Sequence, residues 1–173
     1  MGRFARAAAF SLFIIGLYTF YSVFVIPPIN PGEPPSESAA SGGPATIEEL
    51  LALGEEVYNG KGACSLCHTR DGGRAPALDD SALAAKARFS APGYSGKAAD
   101  VESYLYESLV DPSAYVVPGY GVSGTDDRVS PMPGVRESSI GLNDTEIRAV
   151  IAYLQSISGA EITVALPGEG AGE

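Results

Sequence analysis

The two cysteines and the single histidine of this 173-residue chain all fall in one pentapeptide, Cys64-Ser65-Leu66-Cys67-His68. A Cys-x-x-Cys-His run is the attachment pattern of a c-type haem. Two thiols one helical turn apart can add to the two vinyl groups of a haem, and the adjacent imidazole then lies under the iron as its proximal ligand. Other uses of the motif fit less well. A structural zinc site normally takes four Cys or His ligands, so here it would need carboxylates or a second chain. A thioredoxin-like dithiol follows a strand in a βαβ unit, and the strand is missing. A disulfide between cysteines three apart closes a very short loop and contributes little.

The N-terminus sets the compartment. Ala7 to Ile26 are twenty consecutive uncharged residues, and a helix of that length spans roughly 30 Å, the thickness of a bilayer core. Arg3 and Arg6 precede it, and no acid occurs before Glu33. The positive-inside rule then places residues 1–6 in the cytoplasm and everything after the anchor at 7–26 on the outer face. A cleaved signal peptide has a shorter apolar region with small residues adjoining it. Here the run ends in Phe24-Val25-Ile26-Pro27-Pro28, and Ser38-Ala39-Ala40-Ser41 comes late. The expectation is a retained single-pass anchor in a bacterial cytoplasmic membrane, with the haem motif in the periplasm or on the outer face.

Beyond the anchor lie nine basic and 21 acidic residues, a formal charge of −12. Nucleic acid is therefore excluded as a natural partner. The acidic surface either steers a basic docking face on a redox partner or serves only to keep the domain soluble.

Residues 27–45 hold six of the thirteen prolines among Ser, Gly and Glu. They read as a semi-rigid linker that could reach roughly 60 Å. A globular domain is expected over 46–159. Thr46 with Glu49 forms a capping-box pattern, and Ile47, Leu50, Leu51, Val57 and Tyr58 recur at helical spacing. Gly60 and Gly62 interrupt that helix where the backbone must approach the porphyrin. Short helices are expected over Ser81–Phe89 and Asp100–Val110, the latter with Val101, Tyr104, Leu105 and Leu109 on one face and Pro112 as a stop. From Asp111 to Gly141 no helical period is present, and a haem would give so long a loop something to wrap. Asn143 and Glu146 form a second capping box, ahead of the stripe Ile147, Val150, Ile151, Leu154 and Ile157. Residues 160–173 are a tail, in which Ala160–Leu166 either adds a short strand or docks.

A haem iron with one protein ligand is open to gases and peroxide or is closed by a second side chain. No second histidine exists, and Met1 lies on the wrong side of the membrane, so Met132 is the remaining soft ligand. Its setting, Ser130-Pro131-Met132-Pro133-Gly134, restricts the backbone on both sides, 64 residues after His68. The iron ligands expected are therefore His68 and Met132, a pair that favours reduced iron and raises the potential.

Gly54-x-x-Val57-Tyr58, Cys64-Ser-Leu-Cys67-His68, Ala75-Pro76-Ala77-Leu78, Met132-Pro133 and the closing helix from Leu142 to Leu154 together resemble the class I cytochrome c domain. The resemblance covers about Thr46 to Gly159. It implies an all-α class I cytochrome c fold, about four short helices around one covalently bound haem c, here preceded by a single transmembrane helix. It implies that the first and last helices of the domain cross near Gly54 and Tyr153. It also implies that the Pro76 carbonyl accepts a hydrogen bond from the His68 imidazole, fixing the ring. The chain departs from the family in its long insert before Met132, in lacking tryptophan, and in having only Lys61, Lys86 and Lys97 instead of a lysine docking ring. Tyr120, Arg88, Tyr94 and Arg74 are candidate haem propionate contacts, each equally suited to surface or packing roles. Asp126-Asp127 is an acidic pair that reads as solvated rather than as a calcium site.

The expected function is a membrane-anchored monohaem electron carrier, not an enzyme in itself, working as a subunit or tethered mediator of a respiratory or photosynthetic chain. Its expected partners are a protein electron donor and acceptor within a membrane protein complex. The alternatives are a haem sensor or peroxidase with a labile or absent Met ligand, and a structural subunit.

Overall fold

A computed structural model describes residues 2–24, 43–71, 73–136 and 139–166. The expectations for Val25 and Ile26, for most of the linker and for residues 167–173 lie outside the described residues. The chain divides into two compact units, Met1–Glu37 and Ser38–Glu173. Among the described residues there are five α-helices and one 3₁₀ turn, and no strand.

The first unit contains α1, Arg3–Phe24. It starts four residues ahead of the apolar run because nothing in Arg3–Arg6 breaks a helix. Its 22 residues, none of them buried, are long and apolar enough to cross a membrane. A signal sequence would pass the same test.

In the second unit, α2 spans Ile47–Asn59, α3 Ser81–Phe89, α4 Val101–Val110 and α5 Asp144–Ile157. The α2 cap forms in part: Thr46 Oγ1 accepts the Glu49 amide at 3.2 Å, but the Glu49 carboxylate reaches past the cap to the Ala45 amide at 2.8 Å. At α5 the box is reciprocal, with Asn143 Oδ1 accepting the Glu146 amide and Glu146 accepting that of Asn143. Asp100 and Ser103 cap α4 in the same way.

Helices α2 and α5 cross at Gly54. A Cβ built there would stand 2.7 Å from the Ala149 carbonyl carbon and 2.8 Å from Tyr153 Cβ, so only glycine lets the backbones meet. Tyr58 and Tyr153 extend the contact with ring centroids 5.3 Å apart. The expected stripe on α5 is inward: Ile147, Val150, Ile151 and Leu154 are buried. Ala149 and Ala152, on a second face, are buried as well. On α4, Tyr104, Leu105 and Leu109 are buried and Val101 is half-buried.

Gly60 and Gly62 answer first to a different demand from the one expected. A Cβ on either would lie 2.7 Å from a helix carbonyl, Glu56 O or Val57 O, which also accept the amides of Gly60 and Gly62. They seal the open end of α2, and of the two only Gly62 also borders the cavity described below.

Residues 161–166 dock as an extended tail rather than pairing as a strand. The side chain of Gln155, fully buried on α5, accepts the Thr163 amide at 3.1 Å and donates to Thr163 Oγ1 at 2.9 Å. Thr163 Oγ1 in turn donates to Glu102 at 2.8 Å, and Val164 is buried beside them.

Candidate haem-binding site

The end of α2 leads directly into the motif. Ala63 takes a left-handed conformation (φ 52°), and Cys64–Leu66 form the 3₁₀ turn. The Cys64 carbonyl accepts the amides of both Cys67 and His68, at 3.2 and 3.0 Å. This turn winds the two cysteines into one helical turn and hands the chain on to the histidine. Cys64 is half-buried and Cys67 exposed; burial pushes the Cys64 thiol up to about 11.

His68 is half-buried with Nδ1 2.7 Å from the Pro76 carbonyl oxygen. A carbonyl only accepts, so Nδ1 carries the proton and Nε2 keeps its lone pair for a metal. Burial lowers the imidazole pKa, and the Pro76 carbonyl partly offsets this. The Tyr58 hydroxyl approaches the His68 carbonyl at 3.4 Å, and its own pKa is pushed up to about 12, first by burial.

These residues open onto a cavity of about 380 Å³. Its walls come from the motif turn, from the Ala75–Leu78 segment, from α3, α4 and α5, and from the long segment after α4. Cys64, Cys67, His68 and Met132 all border this one space. Met132 is half-buried, and its loop is held by a hydrogen-bond relay. The Met132 amide donates to Ser130 Oγ at 3.1 Å, and the Ser130 amide donates to Ser113 Oγ at 3.1 Å. Two residues on, a Cβ on Gly134 would stand 2.7 Å from the Val110 carbonyl oxygen, and the Val135 amide donates to the Leu109 carbonyl at 2.9 Å. The loop is thus stitched to the end of α4.

Arg88, Arg74 and Tyr120 border the cavity, whereas Tyr94 does not. Tyr94 is committed elsewhere, its hydroxyl donating to Glu107 and accepting the Ala98 amide. Residues that the sequence did not mark as candidate site residues also line the space. Tyr104 and Ser108 do so one helical turn apart on α4, with Arg88 beside the Tyr104 hydroxyl. Their i, i+4 spacing was the available signal, but a serine on an apolar helix face does not by itself point to a ligand. Ser81, at the start of α3, is 1% exposed and borders the cavity, and its hydroxyl has no hydrogen-bond partner.

This lining fits a haem. The walls are predominantly apolar, as a porphyrin face requires, and a few arginine, tyrosine and serine groups offer donors for carboxylates. The Ser81 hydroxyl is a buried donor to which no described residue offers an acceptor. Asp126 and Asp127 do not gather with a third metal-binding side chain, and no cluster of three or more His, Cys, Asp or Glu suited to a metal ion occurs among the described residues. Asp127 instead accepts the amides of Gly119 and Gly121 at 2.8 and 2.9 Å.

The family model described as Cytochrome c matches residues 51–158. Against curated proteins the chain has no significant match.

Proposed function

The chain belongs to the cytochrome c family and binds covalently attached haem c, and from that premise we propose that it is a membrane-anchored carrier of single electrons with a closed His68/Met132 iron site. The observation that carries this reading is that Met132 borders the same cavity as Cys64, Cys67 and His68. Haem supplies a reversible one-electron iron couple there. Cys64 and Cys67 hold the group through their sulfurs, while His68 Nε2 and the Met132 thioether ligate the metal.

The remaining residues keep that couple fast and its potential high. The Pro76 carbonyl accepts the hydrogen bond from Nδ1–H and fixes the imidazole plane. The Ser113, Ser130 and Met132 relay holds the thioether in place, so the site needs little rearrangement when the charge changes. The apolar walls exclude water, which favours the reduced, less charged centre. Arg88, Arg74 and Tyr120 serve the propionate edge.

We assign α1 as a retained single-pass anchor, with its N-terminus in the cytoplasm and the haem domain in the periplasm or on the outer face of a bacterial membrane. Arg3 and Arg6 ahead of the apolar run support that orientation. The −12 charge beyond the anchor suits redox partners with basic docking faces, within or beside a membrane complex.

Replacing Met132 with alanine in the full-length holoprotein tests the ligation. The wild type should be low-spin in both oxidation states and should not bind carbon monoxide at neutral pH. The variant should lose the ferric methionine-to-iron charge-transfer band, drop in potential and bind carbon monoxide. An unchanged spectrum and potential would sink the His/Met assignment and favour an open haem.

A further inference from the structure

We propose that Asp127 is a positioning residue for the haem pocket: its carboxylate, bridging the amides on either side of Tyr120, holds that side chain against the cavity. The geometry is symmetrical about the tyrosine. Asp127 Oδ2 accepts the Gly119 amide at 2.8 Å and Oδ1 accepts the Gly121 amide at 2.9 Å. Tyr120, the one residue between them, is half-buried and borders the cavity, as do Val116 and Val117 just before it. The Tyr120 amide closes a turn onto the Val117 carbonyl at 3.1 Å.

Both glycines are required by the clamp. Gly119 has φ +89°, a conformation that disfavours a side chain. A Cβ on Gly121 would lie 2.6 Å from Asp127 Cα and 2.7 Å from its Oδ1. Asp126 and Asp127 are themselves left-handed, with φ of 52° and 56°, and non-glycine residues in that conformation persist only where their surroundings over-determine them. The surroundings here are a small closed loop. The Val122 amide donates to the Val129 carbonyl at 2.8 Å, Thr125 Oγ1 donates to the Val122 carbonyl at 2.7 Å, and Arg128 Nε donates to the Thr125 carbonyl at 3.0 Å. Hydrogen bonds to an ionised acceptor are about twice as strong as neutral ones, and the two amides hold the Asp127 carboxyl below the usual carboxylate range.

The loop runs from Val129 directly into Ser130 and Met132, so the clamp closes the segment that bears the sixth ligand. Its chemical role is to exclude water and small ligands from the cavity at Tyr120. This deepens the His68/Met132 reading and rests on it.

The test uses the full-length holoprotein in detergent and measures reduction potential together with the rate of imidazole binding to the ferric form. Asp127→Ala removes both charge-assisted hydrogen bonds and should accelerate imidazole binding by about tenfold or more, and should lower the potential. Asp127→Asn keeps one acceptor and should fall between the two, which also covers failure of the alanine variant to assemble. Tyr120→Ala should match Asp127→Ala, and adding Asp127→Ala to it should change neither readout further, because the two act as one unit. Asp126→Asn, which removes only the exposed 3.5 Å pairing with Arg128, should resemble the wild type.

Full multiplication of the Asp127 and Tyr120 effects would overturn the proposal. So would wild-type behaviour of Asp127→Ala, or an equal effect from Asp126→Asn. Met132→Ala runs in parallel: a wild-type spectrum there would break the ligation reading, while the coupling of Asp127 to Tyr120 would still be decided by the potentials.

Discussion

Helices α2 and α5 meet backbone to backbone through a glycine, with apolar side chains on both sides of the crossing. The segment between α4 and α5 reaches the same cavity by another route. It contains no helix, and its turns close on serine, threonine and aspartate side chains that accept backbone amides or donate to carbonyls. The first region is held by close packing, which tolerates almost no change in volume. The second is held by separate polar contacts, which can be lost one at a time and therefore tune the site without unfolding the domain.

Replacing Gly54 with valine should break the first region outright, because the new atoms would have to displace the Ala149 backbone. A loss of about 3 kcal/mol in chemical denaturation is expected. A variant of wild-type stability would mean that the crossing relaxes freely and that the contrast is overstated. Asn143→Ala removes the side-chain half of the α5 box and should cost about 1 kcal/mol, read as a lower midpoint with an unchanged denaturant slope.

Acid should find the second region. The Asp127 carboxyl is held below its ordinary value by two amides, so it contributes stability that is present above about pH 4 and fades as pH falls through the lowered value; Asp100, outside this segment at the start of α4, behaves in the same way through Ser103. The wild-type melting temperature should therefore drop as pH falls below about 4, and Asp127→Asn should reduce that drop. An identical pH profile would show that the clamp contributes nothing in the folded state. The smallest effect belongs to Lys61, whose ammonium meets both Glu146 oxygens at 2.8 Å just ahead of the haem motif. The lysine is 47% exposed, so Lys61→Ala should cost less than about 0.5 kcal/mol and lose even that in high salt.

The same division explains what the sequence made legible. Packed helices repeat every 3.6 residues, so the Ile147 to Leu154 stripe and the Asn143 cap could be located from periodicity and capping alone. The motif at Cys64 was legible because its chemistry demands a spacing. Met132 stood out by elimination and by the prolines around it. The polar stitching was not legible: no periodicity links Ser113 to Ser130, and nothing marks Asp127 as the acceptor for Gly119 and Gly121 rather than as one half of a solvated acidic pair. The choice between the two roles left open for Tyr94 was not legible for the same reason, since its partner Glu107 lies on another element. Ser81 was hidden because its buried hydroxyl gains meaning only from the cavity it borders.

The Gln155 side chain has a consequence for handling the protein. Its amide is sealed in the core and hydrogen-bonds to Thr163 through both its oxygen and its nitrogen, so the domain extends past the last helix by at least one more contact. A chain trimmed at Gly159, where the helical pattern ends, would strand both a donor and an acceptor away from water. Expression boundaries, affinity tags and protease sites therefore belong beyond Leu166.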